Sequence, residues 1–219
     1  MLASLAHNPS HRAGSVGRRW GLGCSGSLMP NDQPLPDIRL RPLQPQDYPR
    51  LLAAIDNPET LMQWAGPFFR YPLDTTQLEG YRASAEGQGA TRRIYTACDA
   101  TGQPVGHIEL NDIDGHAARL CRVLIDPSRR EHGLGRAVVR RALHIGFDEL
   151  HLHRIELAVF DFNVAAIRCY GQEGFIREGH LREARRVGDA FWSLDLMAIL
   201  EDEWRARERR GDVREVPSP

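Results

Sequence analysis

The chain has 219 residues, 42% of them apolar, which suits one domain built around a single hydrophobic core. Its 28 lysines and arginines are balanced by 29 acidic residues, so it lacks the basic excess of a general nucleic-acid or membrane-surface binder. No apolar run approaches the roughly 20 residues that span a bilayer. Four widely spaced cysteines form no C-x-x-C pair and favour a reducing compartment, so we expect a cytoplasmic protein.

The first segment, residues 1–36, is rich in glycine, serine, proline and arginine and has no sustained apolar period. It also lacks the apolar middle of a secretory signal. We predict a disordered arm here, within which Met29 is an alternative start of translation. The folded domain is expected over residues 37–205, followed by a polar tail over residues 206–219.

The domain opens with strand and helix patterns in turn. "IRLRPL" alternates like a short strand, and "PQDYPRLLAAIDNPETLMQW" has apolar residues at helical spacing. After a loop rich in glycine and proline, a second helix is predicted from about Thr75 to Ala85. "RRIYTACD" and "VGHIEL" flank the turn "ATGQP" and predict a hairpin, with "ARLCRVLID" as a third antiparallel strand.

Two glycines open the next helix, in "PSRREHGLGRAVVRRALHIGF". Leu134, Val138 and Ala142 form its apolar stripe. "RIELAVF" then predicts a strand, and "NVAAIRCYGQEG" predicts a short helix with Asn163 as its N-cap. "FIREGHLREARRV" and "AFWSLDLMAIL" predict a closing hairpin, and "EDEWRARERRGD" a polar helix or tail.

The glycine-flanked helix start indicates an anion site. The first N–H groups of a helix lack intrahelical partners, and glycine lets a phosphate approach the backbone. A tight turn with Ser128 and Glu131 as a capping box explains the same residues. A Walker loop is excluded because no Lys-Ser or Lys-Thr pair follows, and a dinucleotide fingerprint because its third glycine is Val138. ATP binding at these glycines stays open as an alternative.

The order of these motifs resembles the GNAT superfamily of acetyl-CoA-dependent N-acetyltransferases. A strand ends in Asp126-Pro127, the pattern Arg130-x-x-Gly133-x-Gly135 opens a helix, and Tyr170 follows Asn163 by seven residues. The likeness covers roughly residues 38–204. It leans toward the branch of ribosomal-protein N-terminal acetyltransferases through "FDFNVAAIRCYGQEGFIREGHLREA" and "EDEW". It implies an α/β (α+β) fold with a mixed, mostly antiparallel, splayed sheet of about seven strands flanked by helices.

The resemblance implies acetyl-CoA as co-substrate. Successive amides of the loop would hold its pyrophosphate, at Arg130, Glu131, His132, Gly133, Leu134, Gly135 and Arg136. The pantetheine arm would pair with the strand backbone at Val123, Leu124 and Ile125. Asn163, besides capping its helix, would add a hydrogen bond to the pantetheine or the substrate.

The resemblance also assigns Tyr170 to the thioester sulfur, as the acid that serves departing coenzyme A. A free tyrosine has a pKa near 10 and a thiol near 8.5, so a hydrogen bond to the developing thiolate is the safer role. For an isolated tyrosine at helical spacing, a half-buried core aromatic is the alternative.

Glu109 is the predicted general base. Relatives often carry a glutamate where this chain has Ala158, so another group must take the amine proton. Alternation in "VGHIELND" puts His107, Glu109 and Asn111 on one strand face and predicts a wet cleft there, although that face is equally compatible with plain exposure to solvent. The reserve candidates are a relayed water and the carboxylates Asp112, Asp114 and Glu156.

We therefore predict an enzyme that moves acetyl from acetyl-CoA to a primary amine, on a protein N-terminus or a small molecule, by direct attack in a ternary complex. The alternative is a non-catalytic acyl-CoA-binding regulatory module, supported by the missing acid at Ala158. Residues 57–86 should build the acceptor wall, with the aromatics Trp64, Phe68, Phe69 and Tyr71 and, nearby, the cation-attracting acids Asp56, Glu59, Glu79 and Glu86.

No metal is predicted. His151 and His153 form an H-x-H pair without the further ligands of a zinc site. We expect no nucleic acid or membrane partner, and the habit of the family implies a homodimer.

Overall fold

A computed structural model describes residues 34–129 and 133–212 of the chain. The strands are β1 (Arg39–Pro42), β2 (Arg93–Cys98), β3 (Pro104–Asn111), β4 (Ala117–Ile125), β5 (Arg154–Phe160), β6 (Ile176–Val187) and β7 (Ala190–Leu200). The helices are α1 (Tyr48–Ala54), α2 (Pro58–Ala65), α3 (Thr75–Ala83), α4 (Leu134–His144), α5 (Val164–Gln172) and α6 (Glu201–Asp212). The predicted arm lies almost entirely outside these residues, as does the end of the predicted tail.

The seven strands form one mixed sheet in the order β1-β2-β3-β4-β5-β7-β6. Neighbouring strands are antiparallel except β4 and β5, which are parallel. This parallel pairing joins only Ala117, Ala118 and Arg119 to the first residues of β5. Beyond Arg119 the two strands no longer pair, and this confirms the predicted splayed sheet.

A β-bulge interrupts β4 where the strands separate. His107 pairs with Leu124 and Glu109 pairs with Cys121, so β4 holds one residue more than β3 over this stretch. Arg122 lies in the bulge with a φ of 51°, in the left-handed region that a residue with a side chain rarely adopts. Its carbonyl accepts a hydrogen bond of 2.8 Å from the Trp64 indole, which satisfies the disrupted backbone.

The two faces of the sheet carry separate apolar clusters. Ile108 and Leu110 of β3 pack with helix α4, while Ile94 of β2 packs with helices α1 to α3. His107 and Glu109 alternate with Ile108 and Leu110, so they point toward α3. The α1–α3 face is the side on which the sequence predicts the acceptor wall.

Three local predictions need correction. The single helix predicted over residues 45–64 is broken, because the Asn57 side chain accepts from the Thr60 amide at 2.7 Å and starts a new helix at Pro58. Helix α3 ends at Ala83, two residues early. The capping box is wrong, since the Ser128 hydroxyl donates to Asp126 instead and Gly133 is the N-cap of α4.

Helix α5 is fastened to α4 by a fully buried carboxylate. Glu173 accepts from Arg136 Nε at 2.7 Å on one oxygen and from Arg140 Nε at 2.8 Å on the other. Both helices carry candidate site residues, so this contact fixes the distance between the glycine loop and Tyr170.

Glu173→Gln is expected to lower the free energy of unfolding by about 1–3 kcal/mol, because the buried site then keeps two guanidiniums without their counter-charge. Urea unfolding measures this change. Glu149→Gln is the matched control, since Glu149 also binds an arginine, Arg141 at 3.1 Å, but is 54% exposed. Its effect should stay within about 0.5 kcal/mol. Equal effects of the two variants would contradict the role given to Glu173.

Candidate active site

The glycine loop ends in a left-handed turn at the start of α4. Gly133 has a φ of 77°, and a Cβ there would lie 2.9 Å from a Leu35 methyl group. The positive φ therefore favours glycine at this position, and a side chain there would also displace the Leu35 methyl group. At Gly135 a Cβ would lie 3.6 Å from Cys169 Sγ, an ordinary contact, so nothing in residues 34–129 and 133–212 demands glycine. Residues 130–132, which carry part of the predicted loop, lie outside the described residues.

A cavity of about 230 Å³ lies between α1 and the segment that follows β4. Leu124, one of the predicted pantetheine residues, lines it together with Pro127 and Ser128. Arg50 of α1 also lines it, donates to the Gly106 carbonyl at 2.9 Å and lies 3.6 Å from Asp126. Sequence reasoning missed Arg50, because a single arginine on an amphipathic helix carries no functional signal.

Asn163 and Tyr170 occupy the two ends of α5. The Asn163 side chain accepts from the Ala166 amide at 3.2 Å, which confirms its capping role. Tyr170 is buried, with its ring in edge contact with Phe175 at 5.8 Å. Burial raises the pKa of Tyr170. Tyr170 therefore stays protonated at neutral pH and is available as a hydrogen-bond donor.

Cys121 lies next to a second group of polar residues. It lies on β4 opposite Glu109, next to the bulge and just past the point where β4 leaves β5. Burial raises the pKa of the Cys121 thiol to about 12, and the charge of Glu109 adds to the increase. The pairing with Cys121 therefore places Glu109 beside the gap between β4 and β5.

Glu109 belongs to a buried cluster formed by Tyr81, His107, Glu109 and Arg122, which we call the acceptor-side cluster. Glu109 is 0% exposed. One of its oxygens, Oε2, accepts from the Tyr81 hydroxyl at 2.6 Å and from Arg122. The other, Oε1, has no hydrogen-bond partner in the described part of the chain and lies 3.7 Å from Arg92.

His107 completes the cluster as a neutral ring. Burial lowers its pKa to about 3, and the charge of Arg122 adds to the effect. Since the single Tyr81 proton is donated to Glu109, the Tyr81 oxygen accepts from His107 Nε2–H at 3.1 Å. The protonated nitrogen is thus Nε2, and Nδ1 is left as an acceptor without a described partner.

The wet cleft predicted at this strand face is wrong, and so is the alternative of plain exposure to solvent. His107 and Glu109 are buried because Trp64 packs edge-on against the imidazole at 5.5 Å and Tyr81 covers the carboxylate. Sequence reasoning also missed Tyr81 and Arg122. An arginine inside the apolar strand "ARLCRVLID" was the available signal, because a buried guanidinium needs a carboxylate partner.

The predicted acceptor wall is half core and half surface. Trp64 and Phe69 are buried and stack with ring centroids 5.6 Å apart. Phe68 is 46% exposed, and the Arg122 guanidinium lies 4.0 Å from its ring centroid. Tyr71 is also exposed and donates to the Asp56 carbonyl at 2.8 Å.

The reserve bases already have other partners. Glu156 accepts from Arg119 at 2.7 Å, Asp112 lies 3.6 Å from the same arginine, and Asp114 accepts from the backbone amides of His116 and Ala117 at 2.8 and 2.7 Å. Ala158 is exposed on β5. Of the four candidate bases Glu109, Asp112, Asp114 and Glu156, Glu109 is the one that is buried in the acceptor-side cluster.

Among residues 34–129 and 133–212, no three histidine, cysteine or acidic side chains converge as a metal site would require. The ring of His153 stacks on His116 at 5.2 Å. In the same part of the chain, no helix is long and apolar enough to cross a membrane.

Comparison with known proteins identifies relatives over most of the chain. It is 28% identical to a spermidine N(1)-acetyltransferase of Vibrio cholerae over 169 residues, 76% of this chain and 95% of the relative. It is 26% identical to the spermidine N(1)-acetyltransferase of Escherichia coli K12 over 78% of this chain and 90% of the relative. The crystal structure of the Vibrio cholerae spermidine N-acetyltransferase with CoA and spermine superposes with a TM-score of 0.68 and 26% identity, covering 77% and 98% of the two chains.

These matches do not support the expected lean toward the ribosomal-protein branch, since their names are those of polyamine enzymes. They do support the fold and the cofactor. The model of the Acetyltransferase (GNAT) family matches residues 58–175, a range that holds both glycines, Asn163 and Tyr170. That range is more than half of the chain, so the protein belongs to the GNAT family and is an acetyl-CoA-dependent N-acetyltransferase.

Proposed function

We propose that the enzyme acetylates the primary amine of a small molecule by direct attack within a ternary complex. The observation that carries this proposal is the gap that opens where β4 leaves β5 beyond Arg119. Tyr170 packs in the apolar cluster that contains α4, and the acceptor-side cluster lies on the α1–α3 side. The coenzyme and the acceptor amine would thus reach the gap between β4 and β5 from opposite faces of the sheet.

The coenzyme half uses backbone groups. We assign the pyrophosphate to the amides of residues 130–136 and the pantetheine arm to Val123, Leu124 and Ile125, with Asn163 beside it. The end of the β4–β5 pairing at Arg119 supports the second assignment. The first is supported by Gly135, where the described residues would accommodate a Cβ at ordinary contact distance. Because the Arg136 guanidinium is bound to Glu173, backbone amides are the groups assigned to the anion.

We assign proton transfer to Glu109 and Tyr170. A protonated amine with a pKa near 10.4 is no nucleophile, so Glu109 Oε1 takes its first proton. The nitrogen then bonds to the thioester carbon, the C–S bond breaks, and the second proton passes to sulfur by way of the Tyr170 hydroxyl. Oε2 is occupied by Tyr81 and Arg122, so Oε1 is the oxygen assigned to the acceptor amine.

The test is thiol release from acetyl-CoA with a panel of amines. Spermidine and spermine come first because the relatives carry those names, followed by putrescine, amino acids and short peptides. We expect amine-dependent release of free coenzyme A with at least one small amine. If acetyl-CoA raises the Tm but no amine releases thiol, the non-catalytic module is correct. If ATP raises the Tm and acetyl-CoA does not, the glycine loop is a nucleotide-binding site.

A further inference from the structure

Two arginines surround the single carboxylate of the acceptor side. Arg122 binds Glu109 Oε2, and Arg92 lies 3.7 Å from Oε1. His107 is neutral, as its pKa of about 3 requires. The two guanidiniums carry two positive charges and the carboxylate carries one negative charge. The acceptor side therefore has one positive charge in excess.

Both arginines keep a buried N–H group without an acceptor among the described residues. These groups are Arg92 NH1 and Arg122 Nε. The distance from Arg92 to Glu109 exceeds that of a hydrogen bond. Buried donors are nearly always satisfied, and a guanidinium fork matches a carboxylate in shape and charge. An anionic oxygen of a ligand would satisfy a donor of this kind.

The arginines are reached from the acceptor side. Their guanidinium carbons lie 4.0 Å (Arg122) and 5.3 Å (Arg92) from the ring centroid of Phe68, a residue exposed between α2 and α3. The Arg92 side chain is itself 17% exposed. A ligand that enters beside Phe68 therefore meets the arginine pair before it meets Glu109.

The wall offers less attraction to a polycation than its composition predicts. Glu79 and Glu86 both bind Arg82, the former at 2.6 Å, so one arginine already occupies two of the four acids. A polyamine that moves from these acids toward Glu109 would approach a cluster with an excess positive charge. The electrostatic balance favours an acceptor with a negative group of its own.

We infer that the acceptor is an α-amino acid, whose amine faces Glu109 Oε1 and whose carboxylate binds Arg92. This inference rests on the proposed function and names its substrate class. The two protein atoms are 3.7 Å apart, a spacing that suits a carboxylate and an amine on one carbon. The bound carboxylate also draws arginine charge away from Glu109, which frees that residue to take the ammonium proton.

The test compares amino acids with their carboxamides, such as leucine with leucinamide and phenylalanine with phenylalaninamide. Each pair has nearly the same size, and the amide lacks the negative charge. We expect kcat/KM for the acid to exceed that for the amide by roughly tenfold or more, as for one charge-assisted hydrogen bond. Peptide-like α-amines have the lower pKa, about 7.7–8.0, so intrinsic reactivity favours the amide and works against the inference.

Variants of Arg92 test whether this residue causes the preference for the acid over the amide. Arg92→Gln should raise KM for the acid about tenfold with little change for the amide, and Arg92→Lys should restore part of the preference. Arg93→Gln is the control, because Arg93 is adjacent and exposed. Equal or better turnover of amides or spermidine overturns the inference and leaves the acetyltransferase proposal intact. Absence of thiol release with every amine overturns the proposed function itself.

Discussion

Tyr170→Phe is expected to lower kcat for acetyl transfer by about 100-fold or more while leaving KM for acetyl-CoA nearly unchanged. In the proposed mechanism the hydroxyl acts on sulfur only as the C–S bond breaks, so its loss would remove transition-state stabilisation and spare ground-state binding. Phenylalanine keeps the ring contact with Phe175, and the fold should be retained. Steady-state thiol release gives kcat, and calorimetric titration gives coenzyme affinity.

The pH dependence adds an independent check. Because burial raises the pKa of Tyr170, its hydroxyl remains a donor throughout the range in which amines lose their protons. The wild-type rate should therefore rise with pH through the amine pKa without a fall from Tyr170 up to about pH 10. A fall near neutrality would show that another group supplies the proton.

Tyr95→Phe is the matched control for the tyrosine. Burial raises the pKa of Tyr95 too, but this residue lies on β2 with Glu149 and Arg141 as its charged neighbours. Its removal should leave kcat unchanged. If the two variants behave alike, the hydroxyl of Tyr170 is a packing group and the proton reaches sulfur through water.

The sequence predicts the strand and helix order because each element carries its own periodicity and its own end signals. Asn163 is an example, since a cap depends on residues within one turn of it. The same local reasoning fails at Ser128, where Asp126 captures the hydroxyl, and at Pro58, where a new cap splits the helix. Several local hydrogen-bonding patterns are compatible with the same residues, and the sequence alone does not show which of them forms.

The acceptor side could not be predicted because its contacts join distant segments. Tyr81 reaches Glu109 from helix α3. Arg122 reaches Glu109 only because the bulge turns Arg122 out of the regular alternation of side chains along β4. Strand alternation alone gave the correct face for Glu109 but the wrong environment. The expected homodimer and the cytoplasmic location stay predictions.

Gly135→Val is expected to weaken acetyl-CoA binding by about 10- to 100-fold, because the new methyl groups stand where a phosphate must approach the backbone. Gly133→Val should weaken it as well, but its positive φ and the contact with Leu35 destabilise the fold at the same time. Gly135 is therefore the cleaner site. Titration calorimetry gives the affinity, and the Tm shows whether the variant is folded.

Gly80→Val is the control, since Gly80 is also helical and a Cβ there meets nothing within 4 Å. Gly80→Val carries the same free-energy cost of placing a β-branched residue in a helix. Gly80 lies in α3, away from the glycine loop. His132→Ala should likewise leave affinity unchanged if amides hold the anion. Normal affinity in Gly135→Val and Gly133→Val, with both proteins folded, would reduce the glycine pair to an ordinary helix start and move the pyrophosphate elsewhere.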